Sequence, residues 1–509
     1  MAKRKRSEAE PSKNGTNGKQ ARLDTNSSPR NAHHIQIVTG SYERMLHGIT
    51  VTIPHDSLTP HLTKIPTISF TDSFLFNAHS SAIKCLAISP RPSPTAPKQQ
   101  VLLATGSTDE KINLFHLSTR PPSGPVLPAL GSKTQTNRHN RSLGTLHTHD
   151  SSITALHFAS AGKLLSACGQ NVIAVTNTRT FNTLAMLKAP IPKHMNRPTG
   201  DTSTASTLPA GVNDFAVHPC KKLMISVGRA ERCMRLWNLI TGRKAGVLAF
   251  EKDMLKQLGE STGRWGSGEG SRVLWSPAGD EFVVAFERSV CVFGMDCRPV
   301  AKVVPEPKTK ICQVRFVDGV YESVLAVSTE DGRVLFYGVQ KYVEEEGHDE
   351  GDDQKKGEQL PSCVLYGQLG GREAGVVGRI KDFQIVRLDS TSEKELLRPS
   401  LLVVTGSSDG VIRVWTLGLD EIGHDTDGLT STFEKKKPEK SSTKPSGVVQ
   451  IGHLLDSYET NSRITCLESF ELLGSPEDES VNGKGGEEDD EEDDEEDDDS
   501  QEEESDEEE

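Results

Sequence analysis

The sequence predicts an all-β chain closing into a seven-bladed β-propeller. Three observations carry that prediction: a strand–turn–strand unit that recurs along the chain, further short strands flanking each copy, and one surplus strand near the end.

The recurrent unit is clearest at 101–117, VLLATGSTDEKINLFHL, and at 401–417, LLVVTGSSDGVIRVWTL, where seven of seventeen positions are identical. Each copy has an apolar run, a Thr-Gly-Ser-x-Asp turn, and an alternating run that closes on an aromatic, the pattern of two strands joined by a tight turn. The aromatic follows the acid by six residues: Asp109 and Phe115, Asp409 and Trp415. The same spacing finds weaker copies at Glu231 and Trp237, Glu287 and Phe293, and Asp331 and Tyr337. Two more hairpins lie at 163–178, KLLSACGQNVIAVTNT, and at 35–53, where IQIVTGSYER leads to LHGITVTI. Repetition at this scale marks a repeat architecture.

A short strand precedes most hairpins: IKCLAISP at 83–90, ITALHFAS at 153–160, VNDFAVHP at 212–219, RVLWSPAG at 272–279 and ICQVRFVDG at 311–319. A fourth apolar stretch, such as LGTLHTHD at 143–150 or FNTLAMLK at 181–188, follows. Four strands per unit is the composition of a propeller blade. The first hairpin has no strand of the leading type before it, whereas RITCLESFE at 463–471 is left over after GVVQIGHLL at 447–455 completes the last unit. A ring abolishes its sheet edges only if the last strand joins the first blade, so the two ends are expected to share one blade. The organisation expected is a basic, disordered segment at 1–34, the propeller at 35–471 and a disordered acidic tail at 472–509. Long connections at 118–141, 188–210, 339–362 and 418–446, rich in Pro, Ser, Gly and charge, read as surface insertions.

These units resemble WD repeats. In that family a histidine before the first strand, a Ser or Thr on the second, an aspartate in the next turn and a tryptophan on the third form a buried hydrogen-bonded set. His79, Thr105 and Asp109 match, with Phe115 in place of the tryptophan; Thr405, Asp409 and Trp415 match without the histidine. The resemblance implies structural roles for these residues, because a buried polar set is tolerable only when fully paired. His149 lies in a similar corner whose unit offers no matching acid or aromatic.

Charge is segregated. Twenty of the residues at 487–509 are acidic; without them 52 acids face 58 Lys and Arg, and the formal charge moves from −14 to +6. A run of this kind is extended and solvated. Within it Ser500 and Ser505 are candidate sites for acid-directed phosphorylation, although more negative charge would change little there. The opposite end carries Lys3, Arg4, Lys5 and Arg6, a basic cluster of the kind read in nuclear import, in a polar stretch unlike a secretory signal. Nuclear and nucleolar location is the expectation, with no membrane partner, since no apolar run reaches spanning length.

Catalytic chemistry finds little footing. The nine cysteines include no C-x-x-C pair and the histidines show no metal-ligand spacing. GRWGSGEGS at 263–271 lacks the Gly-Lys-Ser/Thr ending of a phosphate loop. No enzymatic activity, cofactor, metal or small-molecule substrate is expected. Basic residues near turns, Lys111, Arg229, Arg232, Arg264, Arg333 and Arg413, are the candidates for exposed contacts.

More specifically, IVTGSYERMLHG, FNAHSSAIKCLAIS, LLATGSTDEKINLFHL, KLLSACGQNVIAVTNTRT, VNDFAVHPCKKLMISVGRAERCMRLWNLITGRKA and RVLWSPAGDEFVVAFERSVCVF are similar, in this order, to the p21-activated-kinase-interacting protein family and its fungal maintenance-of-killer members. The resemblance spans about 35–340. It implies a non-enzymatic scaffold in nucleolar assembly of the large (60S) ribosomal subunit and in pre-rRNA processing, with proteins of the pre-60S particle as partners; direct contact with pre-rRNA is left open by the sequence. For animal members it also implies an adaptor that binds and negatively regulates a p21-activated kinase. A third role common among propellers, substrate receptor of a ubiquitin ligase, is disfavoured. Its mark, an Arg two residues after Trp-Asp, is replaced by Trp-Asn-Leu-Ile at 237–240 and Trp-Thr-Leu-Gly at 415–418.

Overall fold

A computed structural model describes residues 32–54, 68–93, 99–122, 127–129, 132–190, 211–260, 268–318, 323–343, 359–388, 400–422 and 448–473. Lys3, Arg4, Lys5, Arg6, Arg264, Ser500, Ser505 and the acidic run lie outside them, as do much of the connections at 188–210, 339–362 and 418–446.

The chain opens with an antiparallel meander of β1 (Ala32–Ser41), β2 (Met45–Pro54) and β3 (Ser69–Asn77). Blade 1 follows as β4 (Ile83–Ile88), β5 (Gln100–Ser107) and β6 (Ile112–Ser118). A small hairpin, β7 (Leu127–Ala129) and β8 (Ser132–Thr134), precedes its outer strand β9 (Arg141–Leu146). Blade 2 is β10 (Ile153–Ser160), β11 (Lys163–Cys168), β12 (Val172–Asn177) and β13 (Thr183–Lys188). Blade 3 is β14 (Val212–Val217), β15 (Leu223–Gly228), β16 (Cys233–Asn238) and β17 (Arg243–Ala249). After the helix α1 (Lys252–Gln257), blade 4 is β18 (Arg272–Trp275), β19 (Glu281–Ala285), β20 (Val290–Gly294) and β21 (Pro299–Val303). Blade 5 is β22 (Ile311–Phe316), β23 (Val324–Thr329), β24 (Arg333–Val343) and β25 (Ser362–Gly370). Blade 6 is β26 (Ile380–Arg387), β27 (Ser400–Ser407), β28 (Val411–Gly418) and β29 (His453–Glu459). The last strand, β30 (Ile464–Leu472), pairs antiparallel with β1 from His34↔Leu472 to Ser41↔Ile464 and so becomes the inner strand of blade 7.

Seven antiparallel four-stranded blades thus make the ring, and the chain ends share one of them; a parallel pair at Lys302↔Ser362 joins the outer strands of blades 4 and 5 into one eight-stranded sheet, and the β7–β8 hairpin extends blade 7 at β3. Inner strands of successive blades lie side by side and run in one sense along the axis. Their starts meet, as Thr465 Oγ1 donating to Ile83 O (2.7 Å) and Leu467 N donating to Asp382 (3.0 Å) record. One face therefore carries the turns between second and third strands and the links between blades; it is called the upper face below. The lower face carries the turns between first and second and between third and fourth strands, and there β1 starts and β30 ends.

The core lies between blades, where apolar sheet faces stack. Ile35 and Ile37 of blade 7 pack on Val404 and Val414 of blade 6, and Val38 and Leu46 on Leu103 and Phe115 of blade 1. Phe282 and Phe293 stack at 5.2 Å and meet Val227 and Met234 of blade 3. Helix α1, which the sequence pattern does not foresee, seals this contact with buried Met254 and Leu255. The outer strands of blades 2 and 3 are largely exposed, as expected of a blade's rim, whereas β21 and β25 of blades 4 and 5, which pair with each other, are not.

Six of the upper hairpin turns place one residue in the left-handed region: Arg44, Glu110, Asn171, Ala230, Gly332 and Gly410, with φ between 59° and 85°. Glycine is free there of the Cβ clash that the others carry. At Gly410 a Cβ would also lie 2.7 Å from Ser462 O.

One strand assignment shifts. The stretch at 447–455 does not complete blade 6 as a unit: β29 starts only at His453, and the residues before it run beside β25 of blade 5, with Gln368 N donating to Val449 O (2.9 Å) and Ile451 N to Gln368 O (3.0 Å). Ile451 is thereby buried in the core between blades 5 and 6. The connection at 118–141 also holds more structure than an open loop, since β8 touches the edge of β3 at Asp72↔Thr134.

Because closure rests on β30, a chain ending at Arg463 is expected to lose its cooperative thermal transition and to scatter light on warming, whereas a chain ending at Leu473 keeps the parent's melting profile. Equal melting of the two would show that the ring does not need this strand.

Candidate functional site in the blade networks and axial channel

The second-strand residues that pair with Leu86, Leu156, Phe215 and Phe383 of the inner strands are Thr105, Ser166, Ser226 and Thr405. All four are hydroxyl residues, and each finds one ring nitrogen. His79 Nε2 lies 2.7 Å from Thr105 Oγ1 and His149 Nε2 lies 2.7 Å from Ser166 Oγ. Trp237 Nε1 donates to Ser226 Oγ (2.8 Å) and Trp415 Nε1 to Thr405 Oγ1 (3.2 Å). In each of these blades the hydroxyl has either the histidine or the tryptophan as partner.

Asp109 holds the fullest set. It accepts from Ser80 N (2.9 Å), Ser80 Oγ (3.1 Å) and Lys111 N (3.2 Å), and lies 3.1 Å from His79 Nδ1. Burial opposes its charge, but the Ser80 and Lys111 amides and His79 together hold its carboxyl below the ordinary range. Burial lowers His79, against the pull of Asp109 and Thr105, and burial likewise lowers His149. Phe115 has no N–H to offer; it is buried against Phe76, ring centres 5.6 Å apart. Asp409 instead pairs with Ser407 and with Val411 N (3.1 Å), and Arg413 lies 3.5 Å away.

Arg333 and Arg413 are not the exposed contacts expected of them. Arg333 is buried, donating to Asp331 (2.7 Å) and to Glu306 O (2.7 Å), and Arg413 donates to Ser407 (3.0 Å). The acid before each arginine draws it inward. Lys111, Arg229 and Arg232 are exposed. In blade 3 the buried acid is Glu231, in a forked pair with Arg235.

Blade 7 uses other groups, which the repeat pattern did not single out. Gln36, Thr50 and Ser73 form a closed triangle, with Thr50 Oγ1 2.7 Å from Ser73 Oγ. His47 and Tyr458 both bond Asp72 at 2.8 Å, joining blades 7 and 6, and His33 meets Glu471 at 2.7 Å across the closing pair.

The inner strands line an axial cavity of about 670 Å³. A register shift near the start of several inner strands frees a backbone N–H. Asp214, Gln313 and Asp382 each accept that N–H from the following residue at 2.9–3.2 Å. The other oxygen of each aspartate takes an N–H of the next blade, Val273 (3.2 Å) or Leu467 (3.0 Å), so these acids clasp blades together. Burial raises Asp214 against the pull of Arg272. Arg315 bridges Asp382 (3.4 Å) and Glu468 (3.3 Å) and donates to Phe383 O (2.6 Å). Burial pushes Glu468 up to about 7, although Arg315 opposes it and Gln384 donates to it at 2.7 Å. The channel is thus a self-neutralised lining of cations and acids.

Residues 140–175 match the model of the WD domain, G-beta repeat. The chain is 28% identical to protein MAK11 of Saccharomyces cerevisiae over 415 residues, covering 76% of this chain and 79% of that protein. It is 23% identical to the p21-activated protein kinase-interacting protein 1-like protein of Xenopus laevis over 448 residues, 88% of this chain and 85% of the relative. The Gallus gallus protein of the same name is 25% identical over 390 residues, 77% and 75%. The chain is thus similar to these proteins over three-quarters or more of its length and carries a WD repeat.

The matched repeat is blade 2, where His149 and Ser166 keep half of the WD set without its aspartate. The whole set of histidine, hydroxyl and aspartate is intact in blade 1. In this WD-repeat ring the polar sets hold the blades in shape.

Asp109 is far more enclosed than Asp409, its side chain 7% against 35% exposed. Asp109→Asn is therefore expected to cost roughly 1–3 kcal/mol and Asp409→Asn distinctly less, read by urea unfolding. The reverse order would contradict the burial argument. Glu468 binds its proton more tightly when folded than its ordinary value of 4.5 allows, so its contribution to stability is present at low pH and is lost as pH rises toward 7. The melting temperature of Glu468→Gln relative to the parent is thus expected to rise between pH 5 and pH 8; a difference flat with pH would refute this.

Proposed function

We propose that this WD-repeat scaffold works without catalysis in assembly of the large ribosomal subunit and in pre-rRNA processing, in the nucleolus, with proteins of the pre-60S particle as its partners. The observation that carries the reading is the similarity to protein MAK11 and to the vertebrate relatives over three-quarters or more of the chain. Its physical support is the character of the ring. The buried hydroxyls of four blades are occupied by ring nitrogens of the same blades, which leaves faces and rims for docking. The basic cluster at 3–6 and the acidic run at 487–509 suit work among RNA and basic proteins.

A second reading is an adaptor for a p21-activated kinase, favoured by the name of the vertebrate relatives. A sucrose gradient of cell extract containing the tagged protein separates the two. Comigration with large-subunit precursors, collapsing after RNase, is the expected outcome; a light peak indifferent to RNase would overturn it in favour of the adaptor.

A further inference from the structure

The lower face carries unopposed positive charge on one side only. In blade 1 it presents Arg91, Arg120, Arg138 and Arg141; in blade 2, Lys163 and Arg179; in blade 3, Lys221, Lys222, Arg243 and Lys244. All ten are exposed, and among the described residues none stands in an ion pair. The six connections concerned, 89–99, 119–140, 161–162, 178–182, 218–222 and 239–242, contain no Asp or Glu in sequence. Further round the same face acids return, with exposed Asp280 and Asp296 in blade 4 and Asp318 in blade 5. The upper face differs in kind. There Lys256 pairs with Asp253 (2.8 Å), Lys310 with Glu287 (3.4 Å) and Arg379 with Glu330 (2.8 Å).

Repulsion among ten unpaired cations disfavours such an arc unless an anion covers it. The turns that bear them are held in place. Asn177 Oδ1 accepts Arg179 N (2.8 Å) and Thr180 N (3.3 Å), and Asn238 Oδ1 accepts Ile240 N (2.9 Å) and Thr241 N (3.1 Å). His218 Nε2 bonds Gly279 O (3.0 Å), tying the blade 3 turn to blade 4. Within the arc Phe181 is 38% exposed at φ 57°, leaning toward Gly144 of the neighbouring blade. An exposed aromatic beside arginines on fixed turns is how single-stranded nucleic acid is held, by phosphate contacts along a track and a stacked base.

We propose that the lower face of blades 1–3 binds the phosphate backbone of single-stranded RNA, with Phe181 as a stacking platform. The proposal deepens the ribosome-assembly reading and rests on it for the choice of RNA. The chain's own acidic run is the competing occupant: β30 ends on this face, where Leu473 N donates to Thr119 O (2.6 Å) beside Arg120.

The test is fluorescence anisotropy of the full chain with a labelled oligouridylate, titrated across 50–200 mM KCl. With about five phosphates engaged, log Kd should change with log salt at a slope of about 3.5. The triple variant Arg179→Glu, Lys222→Glu, Arg243→Glu should bind at least about tenfold more weakly and flatten that slope by roughly 2. The neutral variant Arg179→Gln, Lys222→Gln, Arg243→Gln should do so in part, and unchanged melting will show that both fold. Phe181→Ala should weaken oligouridylate about fivefold or more and spare duplex RNA. Lys111→Glu, Arg229→Glu, Arg372→Glu on the upper face should leave affinity unaltered. RNA binding that ignores the lower-face changes overturns the proposal. So does a lower face that takes a synthetic peptide of residues 487–509 but no RNA. The sucrose gradient is run on the parent in parallel: a parent that sediments with precursors but binds RNA regardless of the lower-face changes removes the proposal and leaves the assembly reading standing, and RNA binding through the lower face by a parent that never sediments with them removes the assembly reading alone.

Discussion

The ring depends on one pairing, that of β30 with β1. Without it both inner and second strands of blade 7 would present open edges, and the stacked cores on either side of that blade would lose a wall. The bond is made between segments at opposite ends of the described chain, and His33 and Glu471 fasten it with a buried contact of 2.7 Å. Every other blade is local in sequence, its four strands following one another with only the β7–β8 hairpin interposed in blade 1. This one blade carries the long loop-closure cost of the fold, and its unusual polar groups are concentrated where that cost is met.

Inside the blades the repeat has been thinned without being left unpaired. A hydroxyl stands at the same register in five blades, Thr39 of blade 7 among them, and in blades 1, 2, 3 and 6 its partner is an imidazole in two and an indole in two. A buried hydroxyl needs one good partner more than it needs a fixed set, so either ring satisfies it. The aspartate position behaves alike. Asp109 is filled by turn amides and a histidine, whereas Glu231 and Asp409 recruit arginines at 235 and 413. This substitution of partners explains why the sequence looks degenerate while the ring stays regular, and why two arginines that look like surface contacts are turned inward.

Polarity along the axis is handled by a different device. Register shifts near the start of several inner strands leave amides unpaired, and Asp214, Gln313 and Asp382 cover three of them. All three reach on to the neighbouring blade, the aspartates by accepting an N–H and Gln313 by donating to Asp382 at 3.2 Å. The channel lining is therefore part of what holds the blades in sequence round the ring, and its charges are balanced among themselves. Unbalanced charge appears instead on the lower face of blades 1–3.

Strand order, the number of blades and the acid-to-aromatic spacing are legible in the chain because they follow from alternation over a few residues and from tight turns, which are local matters. The Ser166 and Ser226 partners left a fainter trace, a single hydroxyl before a small or branched residue on the second strand, and could have been found by aligning second strands instead of turns. The clasping acids of the channel left none, since Asp214 and Asp382 look like polar interruptions in short apolar strands until the bulge and the next blade are seen. The segment before β29 likewise reads as one strand, and only its neighbour in blade 5 divides it. By itself the sequence determined the repeating backbone, because side-chain period and turn chemistry act within a hairpin. The tertiary structure alone decided which polar groups meet, which arginines are buried and which face is left basic, because those depend on distances between blades that no local pattern records.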